Sequence, residues 1–155
     1  MSTSSPRDSL GGGAELAAYL GIAPFVVFPV AVATLPSYEL RLLAQQAAVA
    51  YGAAVLASVG AVHWGLALAG RLAWSPARIA GAASPGVCAA ASVVLGGQHG
   101  LALLVVGFGV FWLYEHRSVG EELPVDYLKL RRNLTIAGCC LLAVTMMLSD
   151  SAGLA

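Results

Sequence analysis

The residue of this sequence best placed to do chemistry is His63, which stands inside a long apolar run. It lies six residues before Ala69, where that run ends, so it is about 9 Å from the end of a helix. An ionisable group at that depth is costly and is often functional, as a proton relay or a ligand-binding residue. The alternative is an imidazole that is simply hydrogen-bonded within the fold. The same run has no carboxylate, so we predict that its partner is Thr135 or Tyr127.

Four further polar or aromatic residues are candidates for function: Tyr51 and Trp64 in the same run as His63, and the adjacent Arg131 and Arg132. None of them completes a catalytic arrangement, because the sequence offers no Ser/His/Asp set, no paired carboxylates in the apolar runs and no phosphate-binding glycine loop. We therefore expect a non-catalytic protein.

The remaining histidines and the cysteines do not indicate a metal or haem site. His99 lies at the opposite end of the predicted helices from His63, and His116 lies at the end of a run. The three cysteines, Cys88, Cys139 and Cys140, have no metal-ligand spacing and are interpreted as small apolar helix residues. We expect no cofactor.

Composition identifies the environment that surrounds these residues. The chain has 155 residues, of which 59% are hydrophobic and only 10% are charged, and its mean hydropathy is +0.81. Soluble domains contain about 25% charged residues, and so short a chain could not bury this much apolar surface. Lysine and arginine balance aspartate and glutamate at eight each, so no net charge favours nucleic acid. The sequence predicts an all-α integral membrane protein.

Five apolar runs are long enough, or nearly so, to cross a bilayer as helices. We place them at about residues 15–35, 44–69, 78–97, 100–114 and 133–149. They form a transmembrane domain over residues 14–150, preceded by a Ser/Gly-rich segment, 1–13, that we expect to be flexible. Pro24, Pro29 and Pro85 fall inside the spans, where each should kink the helix and free a carbonyl.

The second span carries a stripe of small residues at every fourth position: Ala53, Ala57, Ala61, Gly65 and Ala69. Small side chains let helix backbones approach closely in lipid. The stripe predicts a helix-packing interface, either within the protein's own bundle, which we favour, or with a partner.

Basic residues predict the orientation of the chain in the membrane. One side holds seven of them, whereas the other holds only Arg41; the seven are Arg7, Arg71, Arg78, Arg117, Lys129, Arg131 and Arg132. Since basic loops stay inside, the N-terminus should face the cytoplasm, or the matrix of a mitochondrion.

The inner-side loop at residues 115–132 holds most of the charge. Leu123, Tyr127, Leu130 and Leu134 recur at helical spacing, which predicts a short interfacial helix before the fifth span. The acidic residues of the loop, Glu121, Glu122 and Asp126, can pair with nearby arginines. Since surface ion pairs contribute little to stability, we interpret the loop as solvated charge first and as a docking face second.

Three stretches in this order resemble a known family: Tyr19–Phe25, the run from Tyr51-Gly52 to His63-Trp64-Gly65, and Leu123–Thr135 with its Leu-Arg-Arg-Asn-Leu-Thr end. They are similar to an uncharacterised family of five-span membrane proteins of proteobacteria and mitochondria that includes transmembrane protein 69. Asp126 departs from the family pattern, which often has an aromatic residue there. The resemblance implies a bacterial inner membrane, or alternatively a mitochondrial inner membrane, and implies no activity.

Three functions are open at this stage. The first is an accessory subunit or assembly factor of an inner-membrane complex, respiratory or otherwise energy-converting, whose partners are membrane lipids and other integral membrane subunits. The second is a small-solute carrier or channel built on the proline-broken helices and His63, although no carboxylate is predicted at membrane depth. The third is a membrane enzyme or cofactor protein acting on a lipid or quinone at Tyr51, His63 and Trp64.

The predicted orientation can be tested by cysteine labelling of intact cells in a variant without native cysteines. A cysteine at Ser118 should be protected from an impermeant thiol reagent, because it should lie on the basic, inner side. A cysteine at Ser151 should react, since it should lie outside. The opposite pattern of labelling would invert the topology.

Overall fold

The computed structural model describes residues 12–71, 73, 75–118 and 125–154. Within this part of the chain all regular structure is helical, and there are six helices. They are α1 (Gly12–Leu20), α2 (Ala23–Thr34), α3 (Tyr38–Leu68), α4 (Pro76–Leu95), α5 (Gly97–Ser118) and α6 (Val125–Ser151).

Five stretches of these helices are long and apolar enough to cross a membrane: Leu16–Thr34, Tyr38–Leu68, Pro76–Leu95, Gly97–Ser118 and Val125–Ser151. The chain is therefore a multi-pass, all-α membrane protein, as the composition predicted. Only helices and closed barrels can span a bilayer, because lipid offers no partner for backbone polar groups.

The predicted inner-side loop is shorter than expected, and most of it is helical. Glu115–Ser118 ends α5, and Val125 begins α6, which runs without interruption into the fifth span. The predicted interfacial helix is thus the first part of α6, because no Gly or Pro between Val125 and Ala137 stops the helix. Leu123, Glu121 and Glu122 lie outside the described residues, as does most of the segment 1–13, whose last two residues begin α1.

The first span is broken between α1 and α2 at Gly21 and Ile22. Pro24 lies in the first turn of α2, where its missing N–H costs nothing. The amide of Phe25 bonds to Ile22, so the Gly21 carbonyl needs another donor, and the Tyr51 hydroxyl of α3 supplies it at 2.9 Å. Tyr51 therefore completes the hydrogen bonding of a broken membrane helix.

Pro85, in the middle of α4, frees the carbonyl of Gly81 in the same way. Here the hydroxyl of Ser84 donates to that carbonyl at 2.9 Å. Since an unpaired carbonyl in lipid is costly, Ser84 is what makes the proline tolerable in this helix.

Helix α3 lies at the centre of the bundle and contacts α2, α4, α5 and α6. Its buried face packs against an apolar core in which Phe25 meets Tyr51 and Phe108 edge-on, at 5.2 and 6.5 Å between ring centroids. This packing holds α3 in contact with α5 along much of its length.

Glycines on the buried face of α3 allow its closest contacts. A Cβ added to Gly60 would lie 2.6 Å from the backbone oxygen of Ala82, and one added to Gly52 would lie 2.8 Å from a methyl of Leu104. In contrast, a Cβ on Gly65 of the same helix would meet nothing within 4 Å. Close packing of α3 therefore depends on Gly52 and Gly60.

Gly60→Ala and Gly65→Ala form a matched pair that tests this packing. Both changes raise helix propensity by about 0.5–1 kcal/mol. Gly60→Ala should nevertheless be less stable than Gly65→Ala by about 1–3 kcal/mol, because its new methyl meets the α4 backbone. Unfolding in detergent, followed by circular dichroism, measures both. Equal stabilities would show that α3 and α4 are not in close contact at Gly60.

Candidate functional site

A buried carboxylate lies at one end of the bundle, where α3 and α5 end and α6 begins. Glu115, in the last turn of α5, is only 1% exposed. His63 of α3 approaches it from one side, and Tyr127 and Arg131 of α6 approach it from another. We call these four residues the Glu115 cluster.

Both oxygens of the carboxylate have partners. Arg131 Nε donates to Oε2 at 3.2 Å, and the Tyr127 hydroxyl donates to Oε1 at 3.1 Å. His63 Nε2 lies 3.6 Å from Oε1, within ion-pair range although longer than a hydrogen bond. The cluster therefore joins α3, α5 and α6 through one carboxyl group.

The local sequence explains why these side chains converge. Tyr127 and Arg131 are four residues apart, so they share one face of α6. On α5, Glu115 continues a buried face that also contains Leu104, Phe108 and Phe111 at helical spacing. Phe111 packs edge-on against the His63 ring, at 5.3 Å between centroids, and covers its apolar side.

His63 faces an acceptor at each ring nitrogen. Nδ1 lies 3.4 Å from the carbonyl of Val59, and Nε2 faces Glu115. A ring that donates at both positions is positively charged, whereas a neutral ring donates at only one. Whichever ring nitrogen of a neutral His63 carries the proton, that nitrogen therefore faces an acceptor.

Charge balance within the cluster rests on Arg131, which is 8% exposed. Its guanidinium offsets the carboxylate, and neither charge has bulk water around it. Removing one member of such a pair leaves the other buried and uncompensated, which is far more costly than losing a surface pair. Among the described residues, Arg131 Nη2 has no hydrogen-bond partner, and neither does Thr135 Oγ1, one turn further along α6.

These contacts correct two expectations for His63. Its inter-helix neighbour is the carboxylate Glu115, not Thr135, and Tyr127 meets that same carboxylate rather than the imidazole. We assigned Glu115 to a loop because it follows the apolar run. Its spacing of four from Phe111, on a face that is otherwise apolar, is the signal that indicates burial.

The other predicted residues lie apart from the cluster. Tyr51 bonds to Gly21 in the middle of the bundle, and Trp64 is 37% exposed beside His63. Arg132 is exposed on the surface of α6. Asp126 pairs with Lys129 at 3.3 Å rather than with an arginine.

The small-residue stripe serves the protein's own packing only at its beginning. Ala53 is buried and Ala57 is half-buried, but Ala61, Gly65 and Ala69 are exposed. Positions spaced by four advance about 40° around a helix at each step, so the stripe leaves the buried face after two steps. The close contacts of α3 are made instead by Gly52 and Gly60.

The three cysteines are free thiols on the apolar surfaces of their helices, as interpreted from the sequence. Cys88 and Cys139 each donate to a carbonyl of α5 at 3.7 Å, and Cys140 is exposed. In the part of the chain that the structure describes, no three His, Cys, Asp or Glu side chains are grouped to hold a metal ion.

Comparison with known proteins gives one match. The model of the family described as "Protein of unknown function (DUF3429)" matches residues 13–147, which is most of the chain. This match confirms the expected resemblance to an uncharacterised family. No curated protein and no solved structure matches the chain.

The Glu115–Arg131 pair can be tested by a double-mutant cycle. Glu115→Leu should lower the free energy of unfolding by about 3–5 kcal/mol, because it leaves the Arg131 guanidinium buried without a counter-charge. Adding Arg131→Met should restore much of that loss, since both charges are then absent.

Asp126→Asn supplies the control, because it removes a charge from the exposed pair with Lys129 and should cost about 0–1 kcal/mol. Unfolding in detergent measures wild type, the two single variants, the double variant and this control. If the losses of Glu115→Leu and Arg131→Met simply added, the two groups would not form a pair.

Proposed function

This chain belongs to the DUF3429 family of proteins of unknown function, and from its geometry we propose that it is a non-catalytic accessory subunit or assembly factor of a larger inner-membrane complex. The observation that carries the proposal is the exposed second half of the small-residue stripe on α3, which consists of Ala61, Gly65 and Ala69. We call it the α3 strip.

The protein's own packing does not require the residues of the α3 strip to be small. A Cβ on Gly65 meets no atom within 4 Å, so the protein's own packing does not require glycine there. Small residues in a membrane helix are favourable where another helix approaches closely, because van der Waals packing drives association in lipid. Val62 and Leu68, 44% and 77% exposed, add apolar side chains beside the strip. A transmembrane helix of another subunit is the occupant that fits it.

The Glu115 cluster supports this role because it holds the buried side of α3 in place and so fixes the position of the α3 strip. His63 lies on α3 between Ala61 and Gly65, and its ring faces inward to Glu115 and Phe111. A surface that is already rigid loses less conformational entropy when a partner binds. We place the protein in the bacterial inner membrane, or alternatively the mitochondrial inner membrane, on the strength of the implied family location.

A small-solute carrier is a second candidate, and Glu115 is the observation that favours it. One argument against a carrier is the lack of a carboxylate at membrane depth, and Glu115, buried beside His63 near the end of α5, weakens that argument. A carboxylate and an imidazole that share a site are suited to bind and release a proton.

The subunit proposal predicts a discrete assembly in gentle detergent. Protein expressed at its native level and purified in gentle detergent should elute with a mass well above 15.8 kDa, together with identifiable co-purifying membrane proteins. Ala61→Leu should detach them, since the larger side chain separates the helices. Ala102→Leu, the same change at an exposed position of α5, should leave the assembly intact.

The two candidates differ in the outcome of this experiment. A monomer or a homo-oligomer without other chains would contradict the subunit proposal and favour the carrier. An assembly that survives Ala61→Leu as well as Ala102→Leu would show that the α3 strip is not where the partner binds.

A further inference from the structure

A groove runs along the surface between α5 and α6, and none of its lining residues belongs to the α3 strip. Its two parts have volumes of about 300 and 430 Å³ and share Trp112 and Arg132, so they are continuous. We call it the α5–α6 groove. It is independent of the surface used in the proposed function.

The inner part of the groove is basic. His116, Lys129 and Arg132 line it, and the His116 ring stacks on Trp112 at 5.7 Å between centroids. Asp126 pairs with Lys129, but within the described part of the chain Arg132 makes no ion pair. The groove therefore carries net positive charge at the end where the topology predicts the inner membrane surface.

The deeper part of the groove is apolar, apart from one buried hydroxyl. Gly109, Ile136, Cys139 and Cys140 line it together with Thr135. Thr135 is 6% exposed, and its Oγ1 has no hydrogen-bond partner among the described residues. A buried hydroxyl without a partner is costly, and Thr135 is one of the residues that line the groove.

The dimensions of the groove match one lipid in one leaflet. From Val125 to Cys140 it follows about 22 Å of helix, and half of a bilayer with its headgroups is about 20–22 Å. A Cβ on Gly109 would meet nothing within 4 Å, so the glycine leaves open space along α5. The deeper part, with a volume of about 300 Å³ and a mostly apolar lining, suits an alkyl chain.

We propose that the α5–α6 groove binds one anionic glycerophospholipid. The phosphate lies among His116, Lys129 and Arg132, the Thr135 hydroxyl donates to a glycerol-ester oxygen, and one acyl chain follows the groove past Gly109. Basic pockets between transmembrane helices on the inner side are suited to anionic headgroups.

Native mass spectrometry of the protein with equal amounts of phosphatidylglycerol and phosphatidylcholine of identical acyl chains tests the proposal. Wild type should retain one phosphatidylglycerol in preference to phosphatidylcholine. Arg132→Gln should lower that retention about fivefold, which is the effect of one basic group near the headgroup. Arg117→Gln, an exposed arginine that does not line the groove, should have no effect.

The variant Gly109→Leu distinguishes lipid binding in the groove from attraction of the lipid to surface charge in general. It fills the acyl-chain part without a clash inside the fold, so the protein should fold and lose the bound lipid. Phosphatidylglycerol should raise the melting temperature of wild type and Arg117→Gln but not of Gly109→Leu.

Three results would overturn the proposal. One is equal retention of the two lipids, and another is an effect of Arg117→Gln as large as that of Arg132→Gln. The third is a photo-crosslinker at Ile136 that captures a polypeptide instead of lipid, which would make the groove a protein interface.

Discussion

The pairing of Glu115 with Arg131 is the interaction on which one end of the bundle, where α5 ends and α6 begins, depends. Helices in lipid gain little from burying apolar side chains against one another, because lipid tails are equally apolar. A carboxylate that is 1% exposed, by contrast, cannot be left without a counter-charge, so it fixes the distance and rotation of the helices that provide its partners. Since those partners come from α3 and α6, one carboxyl group sets the arrangement of three helices. Buried polar networks of this kind specify one packing more strongly than apolar contacts do.

Elsewhere in the bundle, the need to give every buried polar group a partner acts on backbone carbonyls. Each break in a helix frees a carbonyl, and a hydroxyl from a nearby residue bonds to it: Tyr51 serves Gly21, and Ser84 serves Gly81. At the opposite end of α6, the amides of Gln45 and Gln98 donate to the carbonyls of Leu154 and Met146. That end is therefore joined by neutral hydrogen bonds, and the end at Glu115 is joined by charges. Charged groups suit the Glu115 end because they lie within two turns of the helix ends, near the polar membrane surface.

The sequence predicted the five spans and the all-α class because about 20 apolar residues in a row have few alternatives to a membrane helix. The sequence is a weaker guide to whether polar residues at the ends of the spans are buried or exposed. The sequence assigns Glu115 and Arg131 to the charged loop at residues 115–132, because each is ordinary alone and only the contact between them makes burial possible. Likewise, the stripe from Ala53 to Ala69 shows which residues are small but not which face of α3 is buried. That face is set by the Gly60 contact with α4 and by the contacts of His63, all of which join residues distant in sequence.

The cluster also determines where the protein can present surfaces to other molecules. With His63 drawn inward to Glu115, the residues that flank it on α3 must face outward, which exposes the α3 strip. With Arg131 drawn inward on α6, the next residue, Arg132, is rotated about 100° away and faces the α5–α6 groove. The two adjacent arginines therefore have separate roles, one in the bundle and one at its surface. One buried carboxylate, through its contacts with His63 and Arg131, thus orients both a surface suited to a helix and a groove suited to a lipid.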